Sequence, residues 1–263
     1  MFRREIRECG CPRNLYKLTK SYFTQRTATL STNSLRTEKE ISRGCPQSSC
    51  CRPGFWNLQY NSLLELKYMN RTKVVAFADD LIMATRSESL RAVENCVNVE
   101  LSKINGWSKN NKSKFNNKKS KVMLVSRRKR KEYKYITVYL NNKPLDQVTQ
   151  MKYLGIILDP KFRFQEHIKY ATERCTKLIH SLTKVAKMTW GIKHAAIATI
   201  HKGAILPLLT YGAPVWIEAM NYEHNRQKYI RVQCLININM AKEYRTMSSE
   251  ALCMLTGMTP III

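Results

Sequence analysis

The chain of 263 residues carries 45 Lys and Arg against 19 Asp and Glu, a formal net charge of +26, and 44% of its residues are hydrophobic. This composition excludes a fibrous or wholly disordered protein and provides enough apolar side chains for a buried core. The excess of cations predicts a polyanionic partner, because each phosphate that a cation neutralises releases counterions. A basic protein without such a partner is the alternative.

The first predicted elements are a helix, a loop and a second helix. Residues 12–22 carry apolar side chains at helical spacing, and a β-prone tail follows them. The Ser-, Thr-, Cys- and Pro-rich stretch 31–53 predicts a loop. Residues 54–68 again place apolar side chains near one face, which predicts a helix that packs on the core.

Residues 73–85 predict a β-hairpin. Two short β-prone runs, Val74–Ala78 and Leu81–Ala84, flank the dipeptide Asp79-Asp80. Two such runs separated by two residues are typical of a tight antiparallel turn. The predicted turn contains two acidic residues and no glycine, so we expect it to present two carboxylates at its tip.

A long amphipathic helix is predicted over residues 86–110, where apolar residues recur every three or four positions. Thr85 and Glu88 match a capping box at its start. Short strands are predicted farther along the chain, at Val122–Val125, Ile136–Leu140 and Tyr153–Leu158.

The remainder of the chain has a helical pattern. The spacing predicts a long helix over Ile168–Val185, a second over residues 194–206 that ends at Pro207, and a third over residues 222–242. A sheet-containing part therefore precedes an all-helical part. This order predicts an α+β chain with a boundary near residues 160–166.

The cysteines and the apolar stretches give weaker signals. The chain has nine cysteines and no secretory signal, which favours reduced thiols in the cytosol or nucleus. Several cysteines crowd the first fifth of the chain, but no histidine and no paired Cys-x₂-Cys units accompany them, so a zinc site is a weak alternative. The longest apolar stretch, residues 203–217, is shorter than a membrane span and contains Pro207 and Pro214, so no transmembrane segment is predicted.

The paired aspartates of the hairpin are the sharpest chemical feature of the sequence. Adjacent carboxylates repel each other unless a cation neutralises them, and hard oxygen ligands suit Mg²⁺. In nucleotidyl transfer one metal ion activates the attacking hydroxyl and another stabilises the leaving phosphate. A plain polar turn without a metal is the alternative.

Four stretches carry a resemblance to a known family: ISRGCPQSSCCRPGFWNLQYNSLL (41–64), VVAFADDLI (74–82), FNNKKSKVML (115–124) and MKYLGIILD (151–159). In this order they resemble the reverse transcriptases of non-LTR (LINE-type) retrotransposons, especially insect elements that target ribosomal RNA genes. The resemblance covers essentially the whole chain. It implies a partial polymerase palm, a small antiparallel sheet with packed helices, over residues 1–163. It implies an all-helical thumb with the start of the C-terminal region over residues 164–263.

The resemblance also implies roles for individual residues. Asp79 and Asp80 are expected to be catalytic and to bind Mg²⁺ or Mn²⁺, with Asp79 as the more direct ligand. Lys119 is expected to stabilise the outgoing pyrophosphate, although a solvated lysine of a basic loop is the alternative. Contacts with the template base or incoming nucleotide are expected from Pro46, Gln47, Ser48, Phe77 and Ala78. Tyr153, Leu154 and Gly155 are expected to form the primer grip. An ordinary strand with a bulge glycine is the alternative.

Three features depart from the family pattern. Ser48 and Arg52 stand where the family has glycine, which permits a positive φ and close backbone approach. A family polymerase also has a third metal carboxylate on an earlier strand, and nothing before Pro12 resembles that strand. We therefore expect a partial copy that lacks this carboxylate, most of the fingers and the endonuclease domain.

The function that the resemblance implies is RNA-directed DNA polymerisation by two-metal nucleotidyl transfer. Its expected partners are an RNA template, a DNA primer and deoxynucleotide triphosphates. The isolated chain is expected to be catalytically impaired, and a non-catalytic basic nucleic-acid-binding remnant is the alternative. Family habit and the basic run Arg127–Lys131 predict a location in the nucleus, with a part in the cytoplasm, whereas the same run is also typical of a solvated hairpin tip.

Overall fold

A computed structural model describes residues 6, 10–41, 49–126, 135–186, 194–244 and 246–261. The chain divides into two compact units, Met1–Val122 with Glu132–Gln147 and Met123–Lys131 with Val148–Ile263. Long helices and short strand pairs both occur, which confirms the predicted α+β class. The basic run Arg127–Lys131 lies outside the described residues.

The first unit contains three main helices and eight strands among its described residues. The helices are α1 (Arg13–Tyr22), α2 (Arg52–Leu64) and α3 (Leu90–Asn110). The strands are β1 (Thr27–Ser31), β2 (Arg36–Glu40), β3 (Thr72–Phe77), β4 (Asp80–Thr85), β5 (Lys121–Val122), β6 (Tyr139–Leu140), β7 (Lys143–Pro144) and β8 (Asp146–Gln147). The pairs β1–β2, β3–β4 and β6–β7 are antiparallel, and β5–β8 is parallel.

Two local predictions for this unit are wrong. The stretch predicted as a loop contains β2, whose residues are all exposed and have no alternating apolar pattern that would reveal a strand. The predicted capping box is also wrong, because β4 extends to Thr85 and the Thr85 hydroxyl lies 3.1 Å from that of Thr72 on β3. Ser89 caps α3 instead, where its Oγ accepts a hydrogen bond from the Ala92 amide at 3.2 Å.

The core of the first unit lies where α2 and α3 pack against one face of the β3–β4 hairpin. The buried cluster consists of Tyr60, Leu63, Ile104 and Trp107, and the hairpin side chains packed against it include Ala76, Leu81 and Met83. Because side chains alternate along a strand, the residues between them face the other way. Val75 and Phe77 are accordingly 56% and 62% exposed.

The second unit is mostly helical. Its elements are β9 (Met151–Tyr153), β10 (Ile156–Leu158), α4 (Gln165–Ala186), α5 (His194–Ile200), a π-helical turn (His201–Ile205), α6 (Leu206–Thr210), α7 (Ala213–Trp216), a 3₁₀ turn (Ile217–Asn221), α8 (Glu223–Ala241) and α9 (Ser249–Thr256). The predicted break at Pro207 is wrong, since helical structure continues past it. Pro207 occupies the first turn of α6 directly after the π-helical turn, where its missing amide is tolerated.

One continuous core holds the second unit together. It includes Ile168, Cys175 and Ile179 of α4 and Tyr229, Val232 and Ile236 of α8. Ile156 and Leu158 of the β9–β10 hairpin pack against this core, so the hairpin belongs to the same compact unit as the helices. The functional division at residue 163 stays a prediction. Among the described residues, no helix combines the length and apolarity needed to cross a membrane.

Candidate active site

The β3–β4 hairpin carries the acidic pair. Its strands pair from Thr72 opposite Thr85 to Phe77 opposite Asp80, so the two turn residues are Ala78 and Asp79. The predicted Asp79-Asp80 turn is therefore displaced by one residue, because Asp80 already pairs as the first residue of β4. Ala78 has a φ of 50°, a left-handed conformation that costs a residue with a Cβ about 1–2 kcal/mol.

An aromatic column from α2 supports this strained turn. The Trp56 indole N–H donates a hydrogen bond to the carbonyl of Ala78. The Trp56 ring stacks on Tyr60 with 4.8 Å between centroids, and Tyr60 meets Trp107 edge-on at 5.8 Å. Sequence reasoning missed Trp56 and Tyr60, although two aromatic residues four positions apart share one face of a helix and could have signalled the contact.

The two aspartates create a negative field at the hairpin tip. Burial, and then the charges of Asp79 and Asp80, raise the pKa of Tyr60 to about 12. The Tyr60 phenol is therefore protonated and neutral at physiological pH. Both aspartates are exposed, and in the part of the chain that the structure describes no Lys, Arg or His forms an ion pair with either.

The donor set of the hairpin fits a hard divalent cation. Two adjacent carboxylates without a compensating cation favour Mg²⁺ or Mn²⁺, and Mg²⁺ sites commonly use one or two carboxylates completed by water and substrate phosphates. No cluster of three His, Cys, Asp or Glu residues with metal-binding geometry occurs within the described ranges. Asp79 and Asp80 remain the pair predicted for the metal role, and within those ranges no third His, Cys, Asp or Glu side chain joins them.

The remaining residues predicted near the nucleotide are only partly placed. Phe77 and Ala78 lie beside the aspartates in the hairpin, whereas Pro46, Gln47 and Ser48 lie outside the described residues. The exposed Lys119 follows α3 in a turn where its amide donates to the Asn116 carbonyl at 3.1 Å. Among the described contacts, none joins the Lys119 side chain to the hairpin.

Arg52 replaces a family glycine without backbone strain. It is the first residue of α2, and its amide donates to the Ser49 carbonyl at 3.0 Å. Arg52 is not among the residues with positive φ in the described chain, so its backbone conformation does not require glycine. The adjoining Ser49 is hydrogen-bonded through its Oγ to the Tyr22 hydroxyl of α1 at 3.2 Å.

The predicted primer grip forms a second tight hairpin, β9–β10, in the second unit. Its turn residues Leu154 and Gly155 have φ values of 45° and 84°, the combination that a two-residue hairpin turn of this type requires. Tyr211 closes the turn, because its hydroxyl donates to the Leu154 carbonyl at 2.9 Å. Sequence reasoning missed Tyr211, which lies far along the chain and belongs to no motif.

The cations of the second unit lie beside this hairpin and along α4. Lys152 donates a hydrogen bond to the Tyr170 hydroxyl at 2.9 Å, and this bond, with Arg174 nearby, lowers the pKa of Tyr170. Lys169, Arg174 and Lys177 are exposed on α4. These side chains give α4 an exposed basic surface.

Several known proteins are similar in sequence to this chain along most of its length. The profile of the reverse transcriptase (RNA-dependent DNA polymerase) family matches residues 2–158. The chain is 28% identical to a 115 kDa protein in the type-1 retrotransposable element R1DM of Drosophila melanogaster, over 93% of the chain and 24% of that protein. It is 30% identical to the Pol polyprotein from type-1 retrotransposable element R1 2 of Nasonia vitripennis, over 82% of the chain and 54% of that protein.

A third relative is the RNA-directed DNA polymerase from mobile element jockey of Drosophila melanogaster, which is 25% identical over 89% of the chain and 26% of its own length. The chain therefore spans between about a quarter and just over half of these three relatives. No solved structure has a significant match to the chain. The profile covers more than half of the residues and includes the acidic hairpin, and the relatives are non-LTR element proteins, as the four motifs predicted. The chain belongs to the reverse transcriptase family.

Proposed function

We propose that this chain is the palm and thumb part of an RNA-directed DNA polymerase of a non-LTR retrotransposon. The observation that carries the proposal is the β3–β4 hairpin, whose Trp56-supported tip exposes Asp79 and Asp80, neither of which has an ion-pair partner among the described residues. Membership of the family and the relatives from R1 and jockey elements support the same activity. The proposed partners are an RNA template, a DNA primer and deoxynucleotide triphosphates.

Each residue group has a distinct role in this proposal. Asp79 and Asp80 would hold Mg²⁺ or Mn²⁺, which would supply activation of the primer hydroxyl and neutralisation of charge on the phosphates. The hairpin keeps both carboxylates at the solvent-exposed edge of a packed core. Lys119 supplies a cation to the leaving pyrophosphate, while Phe77, Ala78 and residues 46–48 contact the nucleotide and the templating base.

The primer-grip hairpin completes the assignment. Residues 153–155 hold the primer strand, and Tyr211 keeps their turn in place by its bond to Leu154. The described residues contain no third acidic side chain that joins Asp79 and Asp80. We therefore expect the isolated chain to polymerise orders of magnitude more slowly than a site with a complete ligand set. Each loss of about 1.4 kcal/mol in transition-state stabilisation lowers the rate tenfold.

A second candidate is nucleic-acid binding without catalysis. The net charge of +26 and the exposed cations of α4 favour it, because contacts between cations and phosphates need no metal. The two candidates differ in their dependence on Asp79. Only the polymerase requires that carboxylate, whereas both predict affinity that falls with salt.

The test is primer extension on an RNA template with Mg²⁺ or Mn²⁺, using the chain, Asp79→Asn and Glu88→Gln. Glu88 is an exposed carboxylate of the same unit, so its variant removes one negative charge away from the turn. We expect weak extension that Asp79→Asn lowers by about a hundredfold or more and Glu88→Gln leaves unchanged. Extension that survives Asp79→Asn contradicts the proposal, and salt-sensitive binding without any extension supports the second candidate.

A further inference from the structure

A groove lies on the first unit. It consists of two adjoining cavities of about 550 Å³ and 240 Å³, and Asn105 and Asn141 line both. Its walls are the C-terminal half of α3, the loop that follows this helix, and the β6–β7 hairpin. No residue of the β3–β4 hairpin lines it, and neither does Lys119.

The lining of the groove is cationic. Four exposed lysines converge on the larger cavity: Lys109, Lys112, Lys114 and Lys143. No Asp or Glu lines either cavity, and within the described ranges none of these lysines forms an ion pair. Like charges brought into one concavity repel each other unless an anion is present, so the groove is suited to an anionic occupant.

Internal hydrogen bonds preform the groove. The Asn117 amide donates to the Leu140 carbonyl at 2.5 Å, and the Asn141 amide donates to Asn117 Oδ1 at 3.1 Å. Asn141 and Asn142 form the two-residue turn between β6 and β7 with φ values of 50° and 59°, which asparagine tolerates better than most residues. The lysines therefore project from a framework with defined geometry and not from an unstructured basic loop.

Two further features indicate what kind of anion fits. Asn105, which lines both cavities, has a buried Oδ1 with no hydrogen-bond donor within the described structure, and a hydroxyl of the occupant would satisfy it once the side chain turns this atom toward the groove. At the smaller cavity Tyr139 is 50% exposed, and an exposed aromatic side chain is a usual platform for an unstacked base. Phosphate, hydroxyl and base are combined in a ribonucleotide strand.

We propose that this groove binds single-stranded RNA, with its lysines on the phosphodiester backbone and Tyr139 against a base. The choice of RNA over DNA rests on the proposed function and on the acceptor at Asn105. The groove is a second contact for the RNA strand, separate from the metal-binding hairpin. It requires neither a metal ion nor a nucleotide.

The test compares two triple variants that remove equal charge from the first unit. Lys109→Gln/Lys112→Gln/Lys143→Gln alters the groove, and Lys17→Gln/Lys20→Gln/Lys39→Gln alters exposed lysines elsewhere. Binding of a single-stranded RNA of about 16 nucleotides is measured by fluorescence anisotropy in EDTA at several salt concentrations. We expect the groove variant to raise Kd about tenfold or more and to reduce the salt slope by about two, and the control variant to change Kd by less than about twofold.

Controls for folding and for specificity complete the design. The corresponding triple Lys→Arg variant retains the charge and is expected to bind RNA as the unaltered chain does. Asn105→Asp, which introduces a carboxylate into the groove, is expected to weaken RNA binding even if the triple Gln variant is unstable. Equal losses in the two Gln variants, or equal losses for RNA and single-stranded DNA, would overturn the proposal. These binding measurements are made without metal. A failure of primer extension would therefore contradict the proposed function without contradicting RNA binding by the groove.

Discussion

The two compact units bury their apolar residues in different ways. In the second unit, α4 and α8 share a continuous core in which Ile168, Ile179 and Ile236 are fully buried. In the first unit the corresponding cluster is smaller, and two of its four buried members, Tyr60 and Trp107, are aromatic. The hairpin covers this cluster with one face only and leaves the other face open.

This difference indicates that the second unit is mainly a stable scaffold, whereas the first unit carries an exposed functional surface. The first unit exposes Val75, Phe77 and both aspartates on one hairpin, and exposed apolar surface beside charge commonly marks a binding site. The second unit has the larger core, and a hydrogen bond from Tyr211 holds its Leu154–Gly155 turn. We therefore expect substitutions in the second core to cost more stability than equivalent ones in the first.

The largest predicted loss of stability comes from a buried isoleucine of α4, and the adjacent exposed leucine serves as its control. Ile179 is fully buried, whereas its neighbour Leu178 is 42% exposed. Ile179→Ala is expected to lower the free energy of unfolding by about 2–5 kcal/mol, because it leaves a cavity in a close-packed core. Leu178→Ala is the control and is expected to cost less than about 1 kcal/mol. Urea unfolding followed by hydrogen exchange of α4 and α8 peptides measures both.

A buried and an adjacent exposed leucine on α2 allow the same stability measurement in the core of the first unit. Leu63 is fully buried and Leu64 is 40% exposed. We expect Leu63→Ala to fall at the lower end of the range for buried leucines, about 2–3 kcal/mol, since the smaller cluster can relax around the cavity. A larger loss for Leu63→Ala than for Ile179→Ala would contradict the contrast between the two cores.

Gly155→Ala gives an intermediate effect that is confined to the second unit. The φ of Gly155 is 84°, and a Cβ there would lie 3.0 Å from Cε1 of Tyr211. We expect a loss of about 1–3 kcal/mol from backbone strain and crowding, together with weaker protection of the β9–β10 hairpin. Gly203→Ala is the control, since its added Cβ meets no atom within 4 Å in a helical turn. Equal stabilities for the two variants would show that the turn tolerates a side chain.

The contrast between these regions also shows what the sequence could reveal. Periodicity predicted the long helices α3, α4 and α8 and the existence of the hairpin, because these depend on local patterns of apolar residues. The turn register was displaced by one residue, since nothing local distinguishes Ala78-Asp79 from Asp79-Asp80. The supports of the site, Trp56 and Tyr211, were not found. Helical spacing could have paired Trp56 with Tyr60, but the bonds of Trp56 to Ala78 and of Tyr211 to Leu154 join distant parts of the chain.

Acid is expected to weaken the second unit selectively. All five histidines of the chain lie in it; His167 and His201 are buried, and burial, with Lys152 and Lys202 respectively, lowers their pKa. A folded-state pKa below the ordinary 6.5 means that the unfolded chain binds more protons as the pH falls through this value. The free energy of unfolding of the second unit should therefore be constant above about pH 6.5 and decrease below it.

Hydrogen exchange at neutral and mildly acidic pH can separate the two units. We expect α4 and α8 to lose protection between about pH 6.5 and pH 5, while α2 and α3, in a unit without histidine, keep theirs. His201→Gln should reduce the pH dependence of the second unit, whereas His180→Gln, at an exposed position of α4, should leave it unchanged. Equal loss of protection in both units would mean that carboxylates, and not these imidazoles, control acid stability, because carboxylates occur in both units and histidines in one.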